Sequence, residues 1–398
     1  MDRFKPYMLI IDNPLCTVLL VLLFALIGAA APITVHADGN TTHGTNAGSS
    51  ITSGYNNTLI GENAGASISV DRDNTFIGYN SGSLTGAVLS GFSGGSDNTA
   101  VGSNSLTSNL GGDDNVAVGS NALLNNTEGD YNVAVGSSAL LNNTEGRNNI
   151  AVGLNALHGN TEGDENIAVG SDALEWNSTG NRNIAIGAEA LEYNETGDDN
   201  TAVGANALKY NTTGDDNTAF GKDALSLNVS GFGNTAIGSG SGDSNTTGDR
   251  NTYLGDQTGT YNRTGSFNTF LGAKSGVWND SADLNTFVGV AAGYENNRTD
   301  NASTAERNTY LGSAAGYSNR EGSDNVAIGA FADFGEWTSS DQEIYDGFSG
   351  SWTASTDGSP YSIDVSRSVM IGGASHARDD DAVALGYGAR AINLQSIA

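Results

Sequence analysis

Apolar side chains recur along this chain with a period of seventeen residues, in units that open on an asparagine and carry a glycine four places later. In the unit that opens at Asn115, the apolar triplet Val116–Val118 leads to Gly119, and a second apolar segment, Ala122–Leu124, follows. Short apolar segments bounded by glycine and asparagine predict strands, so we expect two short strands in each unit. A period this short cannot hold a helical pair and predicts one turn of a β-solenoid, called a rung below.

The rungs divide the chain into zones. The uninterrupted series of opening asparagines is Asn98, Asn115, Asn132, Asn149, Asn166, Asn183, Asn200, Asn217, Asn234, Asn251, Asn268 and Asn285. Further copies, offset by short insertions, open at Asn57, Asn74, Asn308 and Asn325. We therefore expect irregular N-terminal rungs at 38–97, regular 17-residue rungs at 98–334, an insertion at 335–366 and shorter rungs at 367–398.

Two asparagines recur in register within each rung, at position 0, which is the opening residue, and at position 11. Stacked strands lie about 4.8 Å apart, so equivalent side-chain amides of successive rungs come within hydrogen-bonding reach while they also satisfy turn backbone groups. We expect two asparagine ladders. The first includes Asn115, Asn132, Asn149, Asn166 and Asn183, and the second includes Asn126, Asn143, Asn160, Asn177 and Asn194. The alternative is that these asparagines form a repeated ligand-binding strip.

Positions 2 and 8 of a rung compensate each other in size. Most early rungs pair alanine with leucine, as in Ala117 with Leu123, whereas later rungs pair an aromatic residue with glycine, as in Phe270 with Gly276. Because protein interiors keep a nearly constant packed volume, the two positions are expected to share one buried layer. The rung at Asn234 has small residues at both positions and predicts a gap or an intruding side chain there.

The first strand of each rung is apolar on both faces. Position 3 is always apolar and position 1 is threonine, valine or isoleucine, although neighbouring strand residues point to opposite sides. A lone solenoid has only one inside, so the outer face calls for a partner, and identical chains packed around an axis would supply it.

Charge and the N-terminal segment indicate the compartment. With 16 basic and 45 acidic residues, the chain is too acidic to bind nucleic acid or an anionic membrane through charge. Arg3 and Lys5 precede an apolar run at 18–31, and small residues near Ala37 suit cleavage, so we expect a signal peptide at 1–37 and secretion to the cell surface or beyond. An uncleaved membrane anchor is the alternative. The sole cysteine, Cys16, lies in this segment, so disulfides cannot stabilise the exported chain.

The last rungs carry a resemblance to a known family. The segment that starts at Ser368 reads Ser-Val-Met-Ile-Gly-Gly-Ala-Ser-His-Ala, and a similar segment, Ala-Val-Ala-Leu-Gly-Tyr-Gly-Ala-Arg-Ala, starts fourteen residues later at Ala382. This wording resembles the head repeats of trimeric autotransporter adhesins (YadA-like heads). The resemblance extends over roughly Asn57 to Ala391 and implies a left-handed parallel β-roll assembled as a homotrimer. The stalk and membrane barrel of that family have no counterpart before Ala398, so we expect no membrane anchor of its own once the signal is cleaved.

Acidic turn residues are the candidate metal ligands. They stack in the corner before the opening asparagine and include Asp113, Asp130, Asp164, Asp198 and Asp215. Repulsion along such a column could be relieved by calcium bound between rungs. The calcium-solenoid signature with Gly-Gly-x-Gly-x-Asp is missing, and repetition at one corner is also typical of solvated turn residues. We expect no cofactor, with calcium as a weakly supported alternative.

The insertion at 335–366 is the candidate contact site. Its aromatic residues are Trp337, Tyr345, Phe348, Trp352 and Tyr361, and acidic residues accompany them. Long insertions in a solenoid form surface loops, where exposed aromatics suit contact with carbohydrate or protein. The alternative is a hairpin that packs its own aromatics as a small core or at a subunit interface.

These features together favour an extracellular structural or adhesive protein. The four histidines are scattered and no nucleophile, phosphate-loop or zinc motif accompanies them, so we expect no enzyme activity. The expected partners are further copies of the chain and a carbohydrate or protein on a host or neighbouring cell surface. The alternative is a subunit of an extracellular filament or sheath, because open strand edges allow end-to-end stacking.

Overall fold

The computed structural model describes residues 34–35, 38–83, 95–298, 305–334, 366–377, 380–391 and 397–398. These residues form strands and turns and contain no helix. The strands are β1 Thr34–Val35, β2 Thr41–His43, β3 Thr58–Ile60, β4 Thr75–Ile77, β5 Thr99–Val101, β6 Val116–Val118, β7 Val133–Val135, β8 Ile150–Val152, β9 Ile167–Val169, β10 Ile184–Ile186, β11 Thr201–Val203, β12 Thr218–Phe220, β13 Thr235–Ile237, β14 Thr252–Leu254, β15 Thr269–Leu271, β16 Thr286–Val288, β17 Thr309–Leu311, β18 Val326–Ile328, β19 Asp333–Phe334, β20 Val369–Ile371, β21 His376–Ala377, β22 Val383–Leu385 and β23 Arg390–Ala391.

The chain is an all-β parallel β-solenoid of about 17 turns with 17-residue spacing. One twenty-stranded sheet runs along it, and all its strands are parallel except β1, which pairs antiparallel with β2. The register is constant: Val116 faces Val133, which faces Ile150. Rungs of fourteen residues follow at the C-terminal end, where Val369 faces Val383.

The expectation of two strands per rung is wrong for the 17-residue rungs. The second segment is a turn in which Asn121 and Leu123 adopt left-handed backbone conformations, with φ of 58° and 49°. Their amides point to opposite neighbours, because Asn121 donates to Ser103 of the preceding rung and Leu123 donates to Ala139 of the next. A second sheet forms only at the C-terminal end, where β19, β21 and β23 pair in parallel.

The core confirms the predicted compensation between positions 2 and 8. Ala117 and Leu123 are both fully buried. In the later rungs, a Cβ added to Gly276 would lie 2.5 Å from ring atoms of Phe270 in the same rung, so the two positions share one space. The buried rings stack along the axis, with centroids 4.8 Å apart for Phe270 and Phe287 and 4.7 Å apart for Phe287 and Tyr310.

The intruding side chain predicted at the Asn234 rung is Tyr253. A Cβ on Gly242 would lie 2.6 Å from the ring of Tyr253 in the next rung and 3.0 Å from Leu225 in the preceding rung. The core of alanine–leucine pairs and the core of aromatic–glycine pairs, which we call the two core types, therefore meet at this rung. The ring of Tyr253 fills the space beside Gly242.

One further rung was not predicted from the sequence. Asn40 opens it, seventeen residues before Asn57, and its side-chain oxygen accepts the backbone amide of Asn57 at 2.9 Å. Gly44 supplies the expected glycine four places later, so the period itself could have revealed this rung.

Candidate interaction surfaces

The ten ladder asparagines named above are all fully buried at two inner corners of the solenoid. In the first ladder, the backbone amide of Asn132 donates to the side-chain oxygen of Asn115 at 2.9 Å. In the second, the side-chain nitrogen of Asn143 donates to the side-chain oxygen of Asn126 at 2.7 Å. A fully buried amide cannot contact an external ligand, so these columns hold the rungs together and do not form a binding strip.

The two ladders meet on one carbonyl in each rung of the regular series from Asn98 to Asn268. The side-chain nitrogens of Asn115 and Asn126 both donate to the carbonyl oxygen of Gly129, at 2.8 and 3.0 Å. A carbonyl has two lone pairs, so it accepts both bonds, and three buried groups are satisfied together. Since an unpaired buried polar group costs about 1–3 kcal/mol, this arrangement makes each rung dependent on its asparagines.

One break interrupts the second ladder. The side-chain nitrogen of Asn262 donates to the hydroxyl of Tyr253 at 2.5 Å instead of to Asn245 in the preceding rung. The side-chain oxygen of Asn245 is consequently buried without a hydrogen-bond partner. The break coincides with the boundary between the two core types.

The five acidic residues proposed as metal ligands act as hydrogen-bond acceptors between rungs. Asp130 accepts the backbone amide of Asp113 at 2.9 Å, and Asp215 accepts that of Asp198 at 2.8 Å. The other three accept in the same way: Asp113 from Ser96, Asp164 from Arg147 and Asp198 from Asn181. Each carboxylate therefore accepts a hydrogen bond from a turn amide of the preceding rung, in the place of a backbone carbonyl.

The acidic column does not assemble a metal site in the described part of the chain. No group of three or more His, Cys, Asp or Glu side chains there could hold a metal ion. Arg147 and Asn181 interrupt the column of acids, and Arg147 lies 3.6 Å from Asp130. The repulsion that motivated the calcium hypothesis is thereby reduced by the chain's own residues.

Ion pairs between rungs occupy the adjacent column at position 16. Arg182 makes two hydrogen bonds of 2.7 Å to the carboxylate of Asp199, and this contact lowers the pKa of Asp199. Arg307 binds Asp324 and Arg367 binds Asp381 with the same geometry. These pairs are solvent-exposed, so each adds little to stability, but they align successive rungs.

The outer face of the long sheet is an apolar stripe. Side chains at position 3 point away from the core and are half-buried, as at Val101 and Val203, or exposed, up to 54% at Phe220. Valine and isoleucine at position 1 lie beside them on the same face, with Ile150 39% exposed. Monomeric soluble proteins rarely expose a continuous apolar surface of this extent, so this stripe, which we call the strand stripe, is a candidate interaction surface.

A second column of exposed and half-buried side chains lies at position 10, two residues after the buried position 8. It carries Trp176, Tyr193, Tyr210 and Leu227, and after Ser244 it continues with Tyr261 and Trp278. The rings of Tyr193 and Tyr210 stack at 5.3 Å, and those of Tyr261 and Trp278 stack at 4.0 Å. We call this column the aromatic ridge. The aromatic ridge was not predicted from the sequence, although its members recur at intervals of the rung period.

One charged cluster adjoins the ridge. Lys209 binds Glu189 and Glu192, whose carboxylates lie 2.5 and 2.9 Å from its nitrogen, and these contacts raise the pKa of Lys209. Lys209 also lies 5.5 Å from the centre of the Tyr210 ring. The two ion pairs hold the ammonium group of Lys209 beside the Tyr210 ring of the ridge.

The predicted contact residues Trp337, Tyr345, Phe348, Trp352 and Tyr361 lie outside the described residues, and so does the apolar run of the predicted signal peptide at 18–31. Among the residues that are described, there is no helix of the length and apolarity needed to cross a membrane.

No protein-family model matches the sequence of this chain, and no curated protein matches it significantly.

Proposed function

We propose that this chain is an extracellular structural and adhesive protein, a rod-like left-handed β-roll that assembles as a homotrimer and mediates attachment to a cell or other surface. The strand stripe carries this proposal, because a continuous apolar face along the whole sheet needs a cover. A second copy of the chain presents the same stripe and can supply that cover by rotation about an axis. The likeness of the C-terminal rungs to adhesin heads favours three copies and a left-handed coil.

The signal peptide at 1–37 and the absence of cysteine after Cys16 support export. The strongly acidic composition, with a formal net charge of −29, keeps such rods soluble and directs them away from anionic partners. The surfaces left free for adhesion are then the aromatic ridge and the insertion at 335–366, since the strand stripe would lie inside the trimer.

Sedimentation equilibrium of the exported chain over a range of concentrations tests the assembly. We expect a trimer in the wild type and monomers in a variant with Val135→Glu, Val169→Glu and Ile186→Glu, which places charges along the strand stripe. Leu154→Glu is the matched control, because Leu154 is 52% exposed but lies outside the strands. A monomeric wild type, or a stripe variant that stays trimeric, would contradict the proposal.

Adhesion is tested with microspheres coated with the exported chain. We expect them to bind to cultured cell layers or immobilised extracellular polysaccharide more strongly than microspheres coated with an acidic protein of similar size. Equal binding of both kinds of microsphere would contradict an adhesive function.

The filament alternative depends on free strand edges. At the C-terminal end, the backbone of Ala398 pairs with Val383 and Leu385 of β22, whereas at the other described end β1 pairs only with β2. Separate rods and end-to-end stacking are therefore the two outcomes to distinguish. Electron microscopy of the exported chain decides between them, because long fibres would contradict the proposal and discrete short rods would support it.

A further inference from the structure

The Asn234 rung forms a notch in the side of the rod. From Gly238 to Ser244 its side chains are no larger than aspartate, whereas the rungs on either side carry long residues at the same positions. The result is an open depression of about 540 Å³. Its lining includes Asp223, Ser226, Leu227, Asp243, Gln257 and Thr260.

At the edge of this notch, the aromatic ridge lacks one ring. Leu227 in the preceding rung is 40% exposed and offers an apolar surface, and Tyr261 in the next rung stacks on Trp278. Between them stands Ser244, whose side chain is too short to continue the stack. The faces of Leu227 and Tyr261 are two rungs apart, or about 9.6 Å at the usual strand spacing. That distance accommodates one ring-shaped group at the level of Ser244.

The depression supplies polar groups beside this gap. The carboxylate of Asp243 accepts a hydrogen bond from the hydroxyl of Ser226 at 2.5 Å. Burial raises the pKa of Asp243, the Ser226 hydroxyl lowers it, and nearby Asp223 raises it again. Asp223 is itself held by Asn206 at 2.8 Å and by Lys222 at 3.1 Å. The notch therefore combines a half-buried carboxylate and hydroxyls with an apolar gap.

This combination selects the chemistry of the ligand. A pyranose ring has C–H groups on its faces that pack on the negative face of an aromatic ring, and hydroxyls at its edge that donate to a carboxylate. Lys222 also lines the depression, but its ammonium is paired with Asp223 at 3.1 Å, so Asp243 and the net charge of −29 disfavour an anionic ligand. An aromatic side chain from a protein partner would fill the gap but, if apolar, would give the carboxylate of Asp243 no donor beyond the hydroxyl of Ser226.

We propose that the notch at the Asn234 rung binds one uncharged pyranose ring of a glycan, which enters the aromatic ridge between Leu227 and Tyr261 and donates hydrogen bonds to Asp243. This inference rests on the proposed adhesive function and names the class of ligand that one of its surfaces recognises. The ring continues the column from Tyr261, which is already stacked on Trp278, to the apolar side chain of Leu227.

Saturation-transfer NMR with the exported chain and a panel of neutral glucose, galactose and mannose disaccharides tests the proposal. We expect at least one disaccharide to bind the wild type and to lose binding in Ser244→Trp, which fills the gap with the chain's own ring. Asn142→Trp is the matched control, because it adds the same side chain at position 10 of a distant rung and should leave binding unchanged. Asp243→Asn keeps the shape of the notch and should weaken binding about tenfold through the lost charge.

Each outcome decides between the two proposals. If no disaccharide binds the wild type, or if Ser244→Trp and Asn142→Trp bind alike, the notch is not a sugar site, and adhesion of coated microspheres is unaffected by that result. If Ser244→Trp abolishes sugar binding while wild-type microspheres fail to adhere, the notch proposal stands and the adhesive function falls. Circular dichroism and melting of both tryptophan variants ensure that each has the wild-type fold.

Discussion

In the rungs from Asn115 to Asn217, alanine sits at the centre of the strand and leucine in the facing turn, whereas the rungs from Asn251 to Asn308 place an aromatic ring and a glycine there. The sheet continues across the boundary in one register, with Ala219 facing Ala236 and Ala236 facing Tyr253. The backbone path is therefore set by what the two stretches share, which is the asparagine ladders and the turn glycines. The core side chains need only fill the same volume.

Both stretches have a left-handed backbone conformation at position 8, but they place different residues there. Leu157 has a φ of 52°, and Gly276 has a φ of 60°. A left-handed conformation costs an L-residue about 1–2 kcal/mol, whereas glycine adopts it freely. The alanine–leucine rungs therefore carry backbone strain that leucine packing must offset, and the aromatic–glycine rungs do not.

The largest expected effects come from exchanging one core type for the other. Phe270→Ala should destabilise the chain by about 3–5 kcal/mol by leaving a cavity among stacked rings. Gly276→Leu should also destabilise it, because even a Cβ there would lie 2.5 Å from Phe270. The double variant recreates the alanine–leucine pair and should recover much of the loss. Urea unfolding of the three variants measures this, and additive costs would show that the two stretches are not interchangeable.

The strain at position 8 predicts an unusual order of substitutions. Leu157→Ala should cost about 2–5 kcal/mol through the lost core contacts. Leu157→Gly should cost about 1 kcal/mol less than Leu157→Ala, because glycine relieves the left-handed strain that alanine retains. Leu154→Ala, at an exposed position, should stay within about 0.5 kcal/mol of wild type. A greater loss of stability for Leu157→Gly than for Leu157→Ala would show that backbone strain at position 8 does not distinguish the two stretches.

Alkaline pH should weaken the aromatic stretch first. Burial raises the pKa of Tyr253 and of Tyr310, whereas Tyr131, Tyr193 and Tyr210 of the other stretch are exposed. A raised folded-state pKa means that stability is complete below the ordinary phenol range near pH 10 and is lost as the pH rises above it. Urea unfolding followed by tyrosinate absorbance at increasing pH checks this. Replacing both buried tyrosines with phenylalanine should reduce the alkaline loss, and the raised pKa of the half-buried Tyr294 and Tyr317 accounts for what remains. An unchanged pH profile would contradict this explanation.

The smallest expected effect is that of Tyr253→Phe at neutral pH. Without the hydroxyl, the side-chain nitrogen of Asn262 can return to the unpartnered oxygen of Asn245 and restore the ladder. The net change should be within about 1 kcal/mol. Tyr310→Phe is the matched control and should cost more, because the ladder beside Tyr310 is unbroken: the side-chain nitrogen of Asn319 already donates to Asn296 at 3.1 Å, so loss of this hydroxyl restores no ladder bond. Equal costs for the two variants would show that the ladder does not reform.

The period and the paired substitutions predicted the sheet and the core because both follow directly from repetition. The pairing of Phe270 with Gly276 could be read as a shared volume before any contact was known. The second strand was predicted wrongly, because an apolar triplet such as Ala122–Leu124 gives no sign that its leucine adopts a positive φ. Leucine seldom does so, and here the packing of neighbouring rungs decides the conformation.

The candidate sites were harder to predict. The acceptor role of Asp130 depends on which way a short side chain turns at a corner, and sequence does not encode that direction. The break at Asn262 depends on the reach of one hydroxyl from Tyr253 across a rung. The aromatic ridge could have been found, because Trp176, Tyr193 and Tyr210 stand one period apart.

The constant register has a genetic consequence. Each rung is encoded by a fixed number of codons, and neighbouring units such as those that open at Asn115 and Asn132 differ at few residues. Unequal recombination between such units adds or deletes whole rungs and keeps every ladder in frame. The length of the rod can thus change in steps of about 4.8 Å, while the chemistry of each surface column is inherited intact.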